Sequence, residues 1–175
     1  MKFVPLSLDG AWKIVADVHS DIRGEYQRTF LMSEFRAHGL SGEFVESGLA
    51  RNYAAGTLRG LHYQLPPREQ AKLIRCLRGS IVDIIVDLRP DSPTFKQHQL
   101  IWLMNAPPVM VYVPAGFAHG YQTLTEQAEV EYHMTNVHVP ELAAGVRYND
   151  PSFGIELPIP VKVILERDQT YPDFR

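Results

Sequence analysis

The stretch Lys72 to Leu88, KLIRCLRGSIVDIIVDL, holds two apolar, alternating runs separated by Arg78-Gly79-Ser80. Period-two alternation marks a strand with one buried face, and a glycine-centred break between two such runs reads as a hairpin. Working outward, QLIWLM (99–104), PPVMVYVP (107–114) and AEVEYHMT (128–135) repeat the pattern, the last in a hairpin-like pair flanking Leu124 to Gln127. On the other side, AWKIVADVHSD reads as a strand ending at Asp21, and IRGEYQRTF as a short turn into another. The segment GEFVESGLARNY is ambiguous, while IPVKVIL (159–165) reads as the final strand. Ser33, Glu34 and a closing Gly39 frame one small helix through about His38. Thirteen prolines and twelve glycines spread along the chain interrupt it too often for a helical bundle. Short strands without intervening helices predict an all-β sandwich or jelly-roll barrel with a few short helices.

The 175 residues fit a single domain, 1–175, long enough to bury roughly 70% of its unfolded surface around one core. A net charge of −3 gives no bulk attraction for nucleic acid or an acidic membrane, though a local basic pocket for phosphate stays compatible with it. Cys76 is the single cysteine, so no disulfide framework is expected, and its place in LIRCLRG reads as core. MKFVPLSLDG lacks the apolar run of a signal peptide, and no window approaches the ~20 apolar residues of a membrane span. A soluble cytoplasmic protein is the expectation.

The chemistry concentrates in GTLRGLHYQ, Gly56 to Gln64. Arg59 and His62, three apart, do not share a regular strand face, but a bend at Gly60 would bring both into one cavity. A second histidine, His119, ends PAGFAH at 114–119 after an apolar strand. Together these match the paired motifs of a cupin-type barrel, which commonly holds a metal through histidines and a glutamate. Here Gln64 stands where the second histidine of the first motif belongs, and two histidines plus an amide make a poor ligand set. Two histidines, an arginine and a lysine in one barrel mouth point instead to acid/base work on an anionic, polar substrate.

The blocks LRGLHYQ, QAKLIRCLRGSIVDIIVDLRPDSPTF, VYVPAGFAHGYQTL, EVEY and YNDPSFGI resemble the nucleotide-sugar epimerases typified by dTDP-4-dehydrorhamnose 3,5-epimerase. The resemblance implies a cupin-like double-stranded β-helix, a homodimer, and no metal or organic cofactor. It implies a nucleoside-diphosphate sugar as substrate, most simply a dTDP-linked 4-keto-6-deoxyhexose inverted at C3, C5 or both. By the same resemblance His62 is the base, Asp168 of LERD its partner, Tyr132 the acid, and Lys72 the cation that stabilises the enolate. Arg23 and Arg59 bind the diphosphate, and His119 and His138 help hold the substrate. A metal-dependent cupin oxygenase or isomerase and a non-catalytic sugar-binding cupin are the other classes these residues allow. Ser47, Leu49, Val137 and Ala144 depart from the family pattern, mainly around substrate holding rather than proton transfer.

Overall fold

The computed structural model describes all residues 1–175 as two β-sheets packed face to face, with one small hairpin and two short helices. The first sheet runs β1 (Lys2–Pro5), β2 (Trp12–Val15), β10 (Val109–Val113), β7 (Lys72–Arg78), β12 (Ala128–Met134) and β5 (Glu46–Asn52). The second runs β13 (Ala143–Gly145), β6 (Leu58–Gln64), β11 (Phe117–Thr123), β8 (Ser80–Asp87) and β9 (His98–Met104). All the pairings within these sheets are antiparallel, giving the jelly roll anticipated from the strand pattern.

Lys72 to Leu88 forms two strands but no hairpin. β7 pairs with β10 and β12, whereas β8 pairs with β11 and β9, so the chain changes sheet at Gly79. Alternation reports that each strand buries a face, and both a hairpin and a sheet-to-sheet corner satisfy it. Gly79 sits at φ +73°, and a Cβ there would lie 2.3 Å from Thr125 Oγ1. The expected pair around Leu124 to Gln127 is likewise a corner, leading from β11 in the second sheet to β12 in the first. The two corners lie side by side: the Leu124 N–H donates to the Ser80 carbonyl at 2.9 Å, and the Ser80 N–H to Thr125 Oγ1 at 3.0 Å. Between the sheets lies the main core, with Ile74, Cys76, Ile81, Ile85, Phe117 and Val130 all buried. Each such large side chain contributes about 1.5–3 kcal/mol by leaving water, and Cys76 is indeed a core residue, its thiol pushed up to about 11 by burial.

Three further boundaries differ from the sequence expectation. AWKIVADVHSD breaks after Val15 into β2 and β3 (Val18–Asp21), and β3 pairs only with β4 (Gly24–Gln27) in a hairpin outside both sheets. The first helix, α1, is Met32–Ala37 with Leu31 at its N-cap and no side-chain cap. Ser33 lies inside its first turn, while Glu34 binds the N-terminal ammonium at 3.0 Å. IPVKVIL is not a strand. It makes a single parallel bridge, Thr57 to Val163, because Pro160 has no N–H to donate and Val161 and Ile164 pack instead on the outer face of the second sheet. This strap leads into α2 (Glu166–Gln169) and so carries the C-terminal segment back to β6.

On β6 the bend at Gly60 is a bulge. His62 lies opposite His119, and Arg59 opposite Tyr121, so three steps on β6 match two on β11. Leu58 and Leu61 therefore both pack on the outer cluster, and Arg59 and His62 both line the interior cavity. Gly60 adopts φ +112°, and a Cβ on it would meet Gly120 Cα at 2.7 Å and the His119 carbonyl oxygen at 2.8 Å. Only glycine fits this crossing without moving backbone.

Candidate active site

One end of the barrel opens into a cavity of about 490 Å³ walled by both sheets and by the segment around α2. His62 reaches it from β6 and places Nε2 2.7 Å from Asp168 Oδ1. A carboxylate only accepts, so Nε2 carries the hydrogen and Nδ1 is the nitrogen left to take a proton. Asp168 is 1% exposed, and its other oxygen accepts the Gly60 N–H at 3.1 Å. Burial pushes this carboxyl upward, but the bonds from His62, Gly60 and Arg167 outweigh it and hold Asp168 below its ordinary range. The bulge therefore does two things at once. It turns His62 inward and aims a backbone N–H at the carboxylate that orients it.

A second histidine–carboxylate pair stands beside the first. His119 Nε2 lies 2.7 Å from Asp83 Oδ1, both buried, and Asp83 Oδ2 has no hydrogen-bond partner. Asp83 occupies the inward face of β8 shared with Ile81 and Ile85, where alternation alone reads an aliphatic side chain. Lys72 lies deep in the cavity, its Nζ donating to the His62 carbonyl at 3.4 Å. Lost hydration pulls its ammonium down to about 8 despite the opposing charge of Asp83.

Tyr132 lines the cavity from β12, in the sheet facing His62. Its ring lies over Gly48 of β5, where a Cβ would come within 2.7 Å of Tyr132 Cε2. Arg59 is steered by buried Asn52, whose Oδ1 accepts from its Nε at 2.8 Å. His138 borders the cavity from the loop after β12, its N–H donating to Glu46 Oε2 at 2.7 Å.

Arg23 does not join this group within the chain. It sits in the β3–β4 turn with its side chain 85% exposed, bound to Asp21 at 2.5 Å, and lies outside the cavity lining. Gln64 explains the missing motif histidine. Its amide nitrogen donates to the Arg68 and Val137 carbonyls and its oxygen accepts the Val139 N–H at 2.8 Å, so this side chain ties loops together. No group of three or more His, Cys, Asp or Glu is gathered in the chain to hold a metal ion.

The chain matches the sequence profile of the dTDP-4-dehydrorhamnose 3,5-epimerases over residues 5–175. It is 35% identical to the dTDP-4-dehydrorhamnose 3,5-epimerase of Methanothermobacter thermautotrophicus, covering 99% of this chain and 95% of that one. The chain belongs to this family. Among solved structures, the dTDP-4-dehydrorhamnose 3,5-epimerase of Elizabethkingia anophelis superposes with a TM-score of 0.96 at 36% identity, covering 99% of this chain and 96% of that chain. ChmJ, a 3'-monoepimerase of Streptomyces bikiniensis in complex with dTDP-quinovose, follows at 0.88 and 34%, covering 97% and 86%.

Within the epimerase fold, several contributors escaped the sequence reading. Asp83, Asn52 and Gly48 hold His119, Arg59 and Tyr132, yet each lies on a strand whose alternation gives no sign of a site. Tyr171 and Arg167 enter from the C-terminal segment. Tyr171 stands edge-on to His62 at 6.4 Å between ring centroids and packs where a Cβ on Gly145 would be 2.3 Å from its ring. Of the positions that depart from the family pattern, Ala144 borders the cavity, and Leu49 and Val137 are exposed. No helix of the chain is long and apolar enough to cross a membrane.

Proposed function

We propose that this protein is a cofactor-independent epimerase, acting in the cytoplasm, that converts dTDP-4-dehydro-6-deoxyglucose to dTDP-4-dehydrorhamnose. The observation that carries the reading is one cavity holding the His62–Asp168 pair, Lys72 beneath it, and Tyr132 on the facing sheet. Hydrogens on C3 and C5 of a 4-keto sugar are acidic because the electron pair left behind is delocalised onto O4. His62 Nδ1 takes the proton, the C–H electrons form the enolate, and the Lys72 ammonium balances the charge on O4. The Tyr132 phenol then gives a proton to the same carbon from the opposite face. Imidazolium and phenolate return to their starting states by exchange with water. A C3-only reaction on a related sugar is the second reading, favoured by the 34% identity to a 3'-monoepimerase. Incubation of the dTDP-4-keto sugar in deuterated water, with deuterium located by position, tests both. No incorporation anywhere would end the reading, and incorporation at C3 alone would select the second.

Lys72 gives the reaction an alkaline limit. Its depressed ammonium is lost as pH rises through about 8, so kcat is expected to fall with a midpoint near that pH. Lys72→Arg keeps a cation above that range and should remove the limb; a limb that persists in this variant assigns it elsewhere. The sign for stability is opposite. The unfolded chain keeps its proton to about 10.5, so the native state gains stability between about 8 and 10.5 as the buried charge is discharged.

Arg59, held by Asn52 at the cavity wall, is assigned to the diphosphate. Arg59→Ala should weaken dTDP binding by about 1.5–3 kcal/mol, the worth of a charge-assisted bond. Calorimetry showing unchanged affinity would remove it from the site. Arg23 can serve the same group only in a second copy, because its hairpin stands clear of its own cavity with Ile22 fully exposed at the turn. The protein is therefore expected to be a homodimer that covers this hairpin and the open edge of β5. A monomer in light scattering at micromolar concentration would contradict this.

A further inference from the structure

His62 Nε2 faces two groups with opposite demands. Asp168 Oδ1, at 2.7 Å, can only accept a hydrogen bond; Arg167 Nη2, at 3.2 Å, can only donate one. The shorter contact requires Nε2–H, so the guanidinium rests against a nitrogen that offers it no lone pair. Arg167 stays there through Asp168, to whose Oδ1 its Nε donates at 3.2 Å. A permanent cation thus touches both members of the base pair. It draws on the carboxylate charge that would stabilise an imidazolium, and it repels the imidazolium directly.

The surrounding charges sharpen the point. From β7, Lys72 adds a second cation; from β11, His119 is already committed to Asp83; from β5, Glu46 accepts the His138 N–H, and His138 itself lies on the loop after β12; Tyr132 and Tyr171 bring hydroxyls. β13 contributes only Ala143 to Gly145. Arg59, on the same strand as His62, is tethered to Asn52. Arg167 has no comparable tether: its guanidinium bonds only the pair it restrains, and its side chain is 61% exposed while that of Asp168 is 2% exposed. It is the cation at this cavity best placed to swing toward an incoming polyanion.

We propose that Arg167 is a positioning residue for the base: its contact with His62 and Asp168 restrains proton uptake, and the diphosphate of the substrate relieves the restraint by drawing the guanidinium outward. This rests on the nucleotide-sugar reading above. By linkage, a ligand that strengthens the base must bind together with protons.

The test measures that linkage without catalysis. dTDP-glucose carries a diphosphate esterified at both ends, so it does not itself titrate near neutral pH, and it lacks the 4-keto group. Its binding heat at about pH 6, measured in buffers of different ionisation enthalpy, reports the protons taken up. The wild-type protein should take up protons, and His62→Asn, which has no titrating ring, should not. Arg167→Gln should lose about half of the uptake or more, because only the direct field of the diphosphate remains. Arg167→Lys should retain it. Equal uptake in wild type and Arg167→Gln, or none in wild type, overturns the proposal for Arg167 while leaving the epimerase reading intact. Failure of dTDP-glucose to bind the wild-type protein overturns both.

Discussion

Replacing His62 by Ala is expected to abolish the incorporation of solvent deuterium at every ring position, a loss of at least the ~10²–10⁴-fold that a positioned general base contributes. On the proposed mechanism the whole deprotonation step falls on this side chain. Of the other two cavity imidazoles, His119 has its Nε2 bound to Asp83 and is buried, and His138 sits on the loop after β12, whereas His62 is 35% exposed with Nδ1 free. Asp168→Asn should produce a smaller loss. The amide keeps the shape of the contact at 2.7 Å but can present its NH₂ to Nε2, favouring the wrong tautomer and removing the charge that stabilises the imidazolium. Position-resolved mass or NMR analysis of substrate recovered from deuterated water reads both variants. Exchange at the wild-type rate in His62→Ala would show that another group takes the proton, and His119 and His138 would be next to test.

The order of these two effects shows what was legible in the sequence. Strand positions followed from period-two alternation, because that pattern records burial of one face. Strand partners did not, because a corner at Gly79 and a hairpin leave the same trace in local sequence. The inward turn of both Arg59 and His62 was readable from Gly60, since a residue free to adopt φ +112° is what permits a bulge there. Asp168 is different in kind. It lies 106 residues from His62 in the chain, in the short α2 that follows a strap whose single parallel bridge has no periodic signature, and only the family resemblance pointed to it. Asp83 was hidden for a third reason: a carboxylate inside an aliphatic strand reads as a flaw until the partner that satisfies it, His119 on the neighbouring strand, is placed. Arg23 matched by sequence but lies outside the cavity of its own chain, because a local motif carries no information on where its turn stands in the fold.

Tyr132→Phe should separate two events that His62→Ala removes together. The substitution deletes one hydroxyl and leaves the ring packed over Gly48 and against the core between the sheets, so folding is not at stake. With His62, Asp168 and Lys72 unchanged, the enolate still forms, and the proton His62 has taken can exchange with water and return to the face it left. Deuterium therefore continues to enter with retention of configuration. Inversion requires a donor on the other face, and Tyr132 approaches from β12 in the first sheet while His62 approaches from β6 in the second. Net epimerisation should fall by the ~10²–10⁴-fold of a lost general acid. The ratio of exchange to inversion, measured in one incubation, is thus expected to rise by the same factor. Wild-type inversion in Tyr132→Phe would reject the two-face assignment and make His138, which borders the same cavity from the loop after β12, the next candidate for the second proton.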